Sequence, residues 1–256
     1  MYRAIIVKTP EQVDRMAVAG DILVRCLKML ESKVRAGITT EELDAAAEKF
    51  IRSQDAVPAF KGYRGFPGSI CASPNSMVVH GIPGAYELGR GDIISIDVGV
   101  IKDGWVADAA MTIPVGPVSP EARNLLDVTK ASLFAGIEQM RPGNHLGDVS
   151  AAIQRSVEAE GLSIIRTLVG HGIGREMHEE PQVPNFGEPG KGPELEEGMV
   201  LAIEPMVNAG GPLVRMDEDD GWSVYSDDDS LAAHFEFTVA VTPDGPRVLT
   251  PWHEAA

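Results

Sequence analysis

The chain has 256 residues, of which 44% are hydrophobic and 23% are charged, and this composition is typical of a folded globular protein rather than a disordered one. Its formal net charge of −16 disfavours tight binding to nucleic-acid phosphates or anionic membranes, and no apolar run reaches the length of about 18 residues that predicts a transmembrane helix. Two cysteines are too few for a disulfide framework, and the apolar stretch within Met1–Lys8 is too short for a signal peptide, so we expect a cytoplasmic protein.

Two amphipathic helices are predicted first. Apolar residues at helical spacing predict a helix over residues 10–34. Thr39-Thr-Glu-Glu42 is a capping-box sequence and predicts a second helix that ends near Gln54. Residues 58–76, which follow, are irregular and rich in aromatic residues and glycine, and either an ordinary surface loop or the wall of a pocket would account for them.

Residues 92–100 and 105–113 predict a β-hairpin whose strands each carry one carboxylate among apolar residues, Asp97 and Asp108. A four-residue turn would place the two carboxylates opposite each other, whereas a two-residue turn at Asp103-Gly104 would make them diagonal neighbours. Both registers put them on one face of the hairpin, because side chains alternate along a strand. Two carboxylates this close repel each other, and a divalent cation between them would remove the conflict.

The second half of the chain repeats the order of the first half. Two further helices are predicted over residues 119–140 and 147–160. His171 begins a His-Gly-Ile sequence, as His80 does, and the segment Gly91–Asp97 recurs as Gly198–Glu204 at an offset of 107 residues. The shared order predicts two similar halves related by a pseudo-twofold axis, with their carboxylate strands meeting at the centre.

The last part of the chain predicts more β-structure and two more buried carboxylates. We expect a strand over residues 198–208 that carries Glu204, and a hairpin over residues 213–225. A final strand over residues 234–242 places Glu236 among apolar residues. The expected fold class is therefore α+β, in one catalytic domain of residues 1–256 whose halves cover about 10–113 and 119–242.

Five of these residues form a candidate metal site: Asp97, Asp108, His171, Glu204 and Glu236. Taken singly, each has an ordinary structural explanation, and Gly170–Gly174 lacks the glycine spacing of a phosphate-binding loop. Together they make an oxygen-rich donor set with one nitrogen, which suits Mn²⁺, Fe²⁺, Co²⁺ or Zn²⁺. Four carboxylates exceed the three protein ligands usual for one catalytic zinc, so we expect two divalent ions that activate a water molecule for hydrolysis.

The sequence resembles a type I methionine aminopeptidase of the short bacterial form, a metallopeptidase with the pita-bread fold. The resemblance covers essentially the whole chain and is carried by six stretches: Asn75–Pro83, Gly91–Asp108, Gly170–His178, Ala202–Val207, Asp220–Ser223 and Phe235–Thr238. It implies a central antiparallel sheet covered by helices. It also implies a monomeric enzyme that removes the initiator methionine from nascent polypeptides when the second residue is small, with contact to the ribosome and with a hydroxide between two metal ions as nucleophile.

The resemblance also assigns roles to the five candidate ligands. Asp97 would chelate one metal ion, and His171 and Glu204 would hold the other. Asp108 and Glu236 would bridge both ions. The ions would be cobalt, manganese, iron or zinc.

Other residues would contact the substrate. The resemblance implies that His178 polarises the scissile carbonyl or stabilises the tetrahedral intermediate, that His80 meets the peptide nitrogen, and that Glu204 shuttles a proton. The methionine side chain would be enclosed by Phe60, Tyr63, Phe66, Cys71, Met177 and Trp222. An unbranched thioether side chain favours such a slot of aromatic rings and sulfur.

Four positions depart from the pattern of the family, and all four carry apolar residues: Phe60, Phe66, Met177 and Phe237. Two alternatives stay open from the sequence alone. A proline-specific peptidase of the same fold generally carries an additional N-terminal domain. A non-enzymatic binding protein on this fold loses metal ligands, whereas this sequence retains all five.

Overall fold

The computed structural model describes residues 4–253, so the two ends of the expected domain, residues 1–3 and 254–256, lie outside the described residues. Within that range the helices are α1 (Pro10–Lys33), α2 (Thr40–Ser53), α3 (Pro120–Ile137) and α4 (Leu146–Glu158), with a 3₁₀ turn at Tyr63–Gly65. The strands are β1 (Val57–Pro58), β2 (Cys71–Pro74), β3 (Met77–Val79), β4 (Ile93–Lys102), β5 (Trp105–Pro114), β6 (Ser163–Ile164), β7 (Gly170–Gly172), β8 (Glu179–Val183), β9 (Val200–Ile203), β10 (Met206–Asn208), β11 (Val214–Met216), β12 (Val224–Ser226), β13 (Ala232–His234), β14 (Phe237–Thr242) and β15 (Gly245–Val248).

The helices begin at capping residues that satisfy their free N–H groups. The predicted capping box at α2 is confirmed, because the Thr39 hydroxyl accepts from the Glu42 N–H while the Glu42 carboxylate accepts from the Thr39 N–H. Thr9 and Gln12 form the same arrangement at the start of α1. None of the helices within residues 4–253 combines the length and the apolar character that crossing a bilayer requires.

Antiparallel sheets form the interior, and the helices cover them. In the first half, β4 pairs with β5 along its whole length, and β1 and β2 pair with its other edge. In the second half, the order is β15-β14-β9-β7-β8. The helix α1 packs on β4 and β5, and α3 packs on α4. The largest apolar cluster lies between these layers, and the α+β prediction is confirmed.

The β4–β5 hairpin has the shorter of the two predicted turns. Lys102 pairs with Trp105, and the two turn residues between them, Asp103 and Gly104, have φ values of 51° and 74°. Positive φ at both positions is the signature of the tight turn that matches strand twist. Asp97 therefore lies opposite Ala110, and its diagonal neighbour on the same face is Asp108.

The continuous strands predicted over 198–208 and 234–242 are wrong. The first is interrupted at Glu204-Pro205, between β9 and β10, and the second at Phe235-Glu236, between β13 and β14. A proline has no N–H to donate to a ladder, and the N–H of Glu236 donates instead to the carbonyl of Ala110 in the other half. At each of these two carboxylates the chain leaves one sheet and enters another, since β9 pairs with β14 whereas β10 pairs with β13.

A seam joins the two halves, and it consists of residues 108–112 of β5 lying antiparallel to residues 234–238. Its hydrogen bonds join Thr238 Oγ1 to the Asp108 N–H and C=O (3.0 and 2.8 Å), Glu236 N to Ala110 O (2.9 Å), and Thr112 Oγ1 to the His234 C=O and N–H (2.9 Å each). Threonine hydroxyls can both donate and accept, so they replace ladder bonds at either end. The seam holds a carboxylate of each half side by side.

Candidate active site

A cavity of about 200 Å³ opens at the seam. Twelve of the thirteen side chains predicted as site residues line it: Phe60, Tyr63, Phe66, Cys71, His80, Asp97, Asp108, His171, His178, Glu204, Trp222 and Glu236. Met177 is the exception. It is buried in the same apolar cluster as Phe60 and is not among the residues that line the cavity. The expected place of Met177 in the methionine pocket stays a prediction.

Carboxylates from both halves converge on one side of the cavity. The ligand atoms of Asp108, His171 and Glu236 all lie within 4.8 Å of one another. One oxygen each of Asp97, Asp108 and Glu236 is buried and has no hydrogen-bond partner among the described residues. An unpaired buried carboxylate is costly, and a divalent cation bound to these oxygens would satisfy all of them at once. The residues present therefore fit a metal site.

The electrostatics of the carboxylates show the same strain. Burial raises the pKa of the Asp97 carboxyl to about 7. Burial, followed by repulsion from Glu236 and Asp97, raises the pKa of Asp108 well above its ordinary value. Burial and neighbouring carboxylates likewise raise the pKa values of Glu204 and Glu236. The group resists carrying four negative charges, and positive charge would relieve it.

His171 presents a lone pair to these carboxylates. Its Nδ1 lies 2.9 Å from the carbonyl oxygen of Gly172, which can only accept, so Nδ1 carries the proton. Its unprotonated Nε2 lies 3.6 Å from Glu204 Oε1 and 3.9 Å from Asp108 Oδ2. Burial lowers the pKa of His171 to about 3, so the ring is neutral at pH 7. A neutral imidazole with a free Nε2 and an anchored Nδ1 is the form that binds metals.

Glycines on either side of His171 allow its strand to lie close to its neighbours. A Cβ at Gly170 would lie 2.3 Å from the carbonyl oxygen of Ala202, and one at Gly172 would lie 2.2 Å from that of Glu180. No side chain fits at those distances, so the sequence Gly-His-Gly is needed to place the imidazole.

The repeated His-Gly-Ile sequences adopt different backbone conformations. His171 lies in β7, whereas His80 follows β3 with a φ of 60°, in the left-handed region that few residues other than glycine adopt. The N–H of Gly81 donates to Ser73 Oγ at 3.1 Å and holds this turn. Burial lowers the pKa of His80, and its ring stands edge-on to Trp222 with 6.4 Å between centroids.

His178 is held by an aromatic partner. The hydroxyl oxygen of Tyr63 lies 2.8 Å from His178 Nδ1, and the two rings stack with centroids 5.5 Å apart. Burial, with smaller contributions from the charges of Arg64 and His80, lowers the pKa of His178 to about 4. The Tyr63 hydroxyl can donate to an unprotonated Nδ1, and in that tautomer the neutral His178 ring carries its proton on Nε2.

The opposite side of the cavity is apolar. Phe60 and Phe66 meet edge to face with centroids 6.5 Å apart, and Phe66 meets Trp222 in the same way at 5.1 Å. Asp220 fixes the loop of Trp222, because its Oδ1 accepts from the N–H groups of Trp222 (2.7 Å) and Ser223 (2.9 Å). The buried thiol of Cys71 completes this side, and the aromatic loop of residues 58–76 is a pocket wall.

Sequence reasoning missed six further cavity residues: Arg64, Val79, Leu168, Val169, Met206 and His234. Two of them had a usable signal. Met206 follows Glu204 by two residues and His234 precedes Glu236 by two, and residues two apart share a face in extended chain. The others come from segments whose approach to the cavity depends on the folded chain.

Comparisons with known proteins agree with this geometry. The model of metallopeptidase family M24 matches residues 14–243. The chain is 54% identical over 246 residues to a methionine aminopeptidase of Clostridium perfringens, an alignment that covers 96% of this chain and 98% of the relative. The crystal structure of methionine aminopeptidase from Rickettsia prowazekii superposes with a TM-score of 0.95 at 41% identity, covering 96% of this chain and all of that one.

A more distant likeness shows the fold alone. Prolidase from Pyrococcus furiosus superposes with a TM-score of 0.74 at 21% identity, over 96% of this chain and 65% of that one. The pita-bread fold expected from the sequence is therefore confirmed. The family match and the cluster of Asp108, His171 and Glu236 indicate that the protein uses divalent metal. The chain belongs to metallopeptidase family M24 and, within it, to the methionine aminopeptidases.

Proposed function

We propose that this protein is a cytoplasmic aminopeptidase that uses two metal ions to remove the N-terminal methionine of nascent polypeptides whose second residue is small. The observation that carries the proposal is one cavity with two unlike sides. An apolar aromatic side adjoins a buried cluster of carboxylates and imidazole. The cavity can therefore hold an apolar N-terminal side chain on one side and the scissile peptide bond on the other.

The apolar side suits methionine in particular. The rings of Phe66 and Trp222 and the thiol of Cys71 line it, and a thioether gains from contact with aromatic rings. Methionine is unbranched and rotates about three side-chain bonds, so it can follow a slot that β-branched side chains would not enter. The departures from the pattern of the family at Phe60 and Phe66 keep this surface apolar.

Five residues would hold the metal ions: Asp97, Asp108, His171, Glu204 and Glu236. We propose two ions because four buried carboxylates exceed what one ion of this class binds, and the mixed donor set suits manganese, iron, cobalt or zinc. When bound, such ions polarise the scissile carbonyl and lower the pKa of water so that it attacks at neutral pH.

The side chains around the ions would position the substrate and move protons. Neutral His178, with its proton on Nε2, donates to the carbonyl oxygen as negative charge develops there. His80 approaches the peptide nitrogen from the Trp222 side. Glu204, whose carboxylate lines the cavity, takes the proton of the attacking water and delivers it to the leaving nitrogen.

The wider setting is also part of the proposal. Residues 1–256 would form one catalytic domain of two similar halves, about 10–113 and 119–242, joined by the seam. We propose that it acts as a monomer and meets its substrates as they leave the ribosome. With a net charge of −16, that contact would use a small surface rather than a broad RNA-binding face.

A panel of peptides tests the proposed substrate. Chelator-treated protein would receive Mn²⁺ or Co²⁺ and then Met-Ala-Ser, Leu-Ala-Ser, Met-Val-Ser or Ala-Pro. Release of methionine from Met-Ala-Ser alone, or far ahead of the others, is the expected result. Preferred cleavage of Ala-Pro would assign the protein to the proline-specific peptidases, and no hydrolysis by folded protein with any metal would favour a binding function.

A further inference from the structure

His234 lies in the cavity with nothing in the protein to bind it. Its side chain is 2% exposed, at the end of β13, and neither ring nitrogen has a hydrogen-bond partner among residues 4–253. Leaving a buried polar group unpaired costs about 1–3 kcal/mol. Both ring nitrogens are therefore available to a ligand that enters the cavity.

The distances around His234 match those of a shared ion better than those of hydrogen bonds. Its Nε2 lies 3.7 Å from Glu204 Oε2 and 3.9 Å from Glu236 Oε2, beyond the reach of a hydrogen bond. Ligand atoms at about 2.0–2.2 Å from one ion lie about 3–4 Å from one another. The distances from His171 Nε2 to Glu204 and Asp108, 3.6 and 3.9 Å, are nearly the same.

The backbone holds this imidazole in place. His234 exchanges two hydrogen bonds of 2.9 Å with the hydroxyl of Thr112, and it pairs with Met206 between β13 and β10. These contacts fix the backbone of His234 at the end of a strand beside Glu204. Sites built on strands place ligands more accurately than sites on loops do.

We propose that His234 binds a metal ion of this site through Nε2, as a second imidazole ligand beside His171. Glu204 then lies between two imidazoles, with Oε1 facing His171 and Oε2 facing His234. The proposal rests on the proposed function in one respect, that divalent ions bind in the cavity. A second nitrogen ligand makes the site favour Co²⁺ and Zn²⁺ over Mn²⁺ more strongly than one imidazole would.

The first test measures metal affinity in His234→Gln, with His80→Gln as the matched control. Both histidines line the cavity, but His80 is not a proposed ligand. Calorimetric titration of the metal-free proteins with Co²⁺ should show a loss of at least about tenfold in affinity for His234→Gln, since even partners of metal ligands contribute about 10–100-fold. The Mn²⁺ affinity should fall less, and His80→Gln should bind both ions like the wild type.

The second test needs no variant. In protein labelled with ¹⁵N at histidine and loaded with Zn²⁺, Nε2 of His234 should show the chemical shift of a metal-bound nitrogen. A protonated or metal-free Nε2 in the loaded protein, or unchanged Co²⁺ affinity in His234→Gln, would overturn the proposal. Wild-type protein that binds the ions and releases methionine, without ligation by His234, would leave the proposed function intact. Wild-type protein that binds no divalent ion would contradict both.

Discussion

Replacing Gly99 by alanine should narrow the apolar end of the cavity from behind. An added Cβ would lie 2.8 Å from Met177 Cε, 2.9 Å from Ala59 Cβ and 2.9 Å from Phe60 Cε1. Carbon atoms in contact prefer about 3.5–4.0 Å, so each neighbour would have to move by nearly 1 Å. Ala59 is fixed by a 2.9 Å hydrogen bond from its N–H to the Gly99 carbonyl. Phe60 and Met177 must therefore give way, and Phe60 lines the cavity.

The expected size of the effect follows from overpacking. Forcing an extra methyl group into a packed interior costs about 1–3 kcal/mol. Part of that cost is relieved when Phe60 shifts into the space proposed for methionine, and the shift weakens substrate binding. A loss of about 1 kcal/mol in binding free energy raises a dissociation constant about fivefold. We expect Gly99→Ala to raise KM for Met-Ala-Ser at least about fivefold, while kcat changes less because Asp97 and Asp108 stay in register.

The assay is steady-state hydrolysis of Met-Ala-Ser at saturating metal, together with urea unfolding. Gly84→Ala is the control, since a Cβ at Gly84 would meet nothing within 4 Å and its KM should equal that of the wild type. An unchanged KM in folded Gly99→Ala would refute the argument that Phe60 forms the end of the methionine pocket. A fall in kcat alone would point to damage at the carboxylates instead.

Three further changes test other parts of the account. Tyr63→Phe removes the hydrogen bond to His178 Nδ1, worth about 0.5–1.5 kcal/mol, so kcat/KM should fall about 2- to 13-fold, and unchanged kinetics would mean that the phenol does not position the imidazole. Glu179→Gln removes the charge that pairs with Lys8 at 2.7 Å, where both side chains are nearly inaccessible. Because glutamine still accepts a hydrogen bond, the free energy of unfolding should fall by about 3 kcal/mol, the low end of the range for a broken buried pair, and a loss well under 1 kcal/mol would contradict the assignment. Metal binding should release protons, since the pKa of Asp97 is raised to about 7 in the metal-free protein and the carboxyl is largely protonated at pH 6. The apparent metal affinity should therefore rise between pH 5 and 7. Calorimetry of metal binding in buffers of different ionisation enthalpy counts the protons released, and a count of zero would contradict this prediction.

Periodicity predicted the hairpin face that carries Asp97 and Asp108, because alternation along a strand is a local property. It left the turn open, since the choice between two and four residues depends on the φ values that Asp103 and Gly104 adopt in the folded chain. Periodicity also predicted one continuous strand through Glu236, whereas the structure has a break there. The break there exists because the N–H of Glu236 bonds to a strand more than a hundred residues earlier, which no local pattern contains.

The site itself was predicted more fully than the strands that carry it. Carboxylates within apolar runs and a histidine between two glycines, His171, are unusual enough to be recognised, and the resemblance to a known family supplied the aromatic positions. How deeply each side chain is buried was not predictable in the same way, and Met177, which is buried in the same apolar cluster as Phe60, is not among the residues that line the cavity. His234 escaped notice because a single histidine at a strand end is ordinary until its neighbours are known.

Metal-dependent release of methionine tests the central claim most directly. Chelator-treated wild-type protein and Asp108→Asn would be assayed on Met-Ala-Ser before and after addition of Mn²⁺ or Co²⁺, with folding checked by circular dichroism. We predict no release before addition, recovery in the wild type after it, and little or no recovery in Asp108→Asn. Methionine release by the metal-free wild type, or full recovery in Asp108→Asn, would contradict the account.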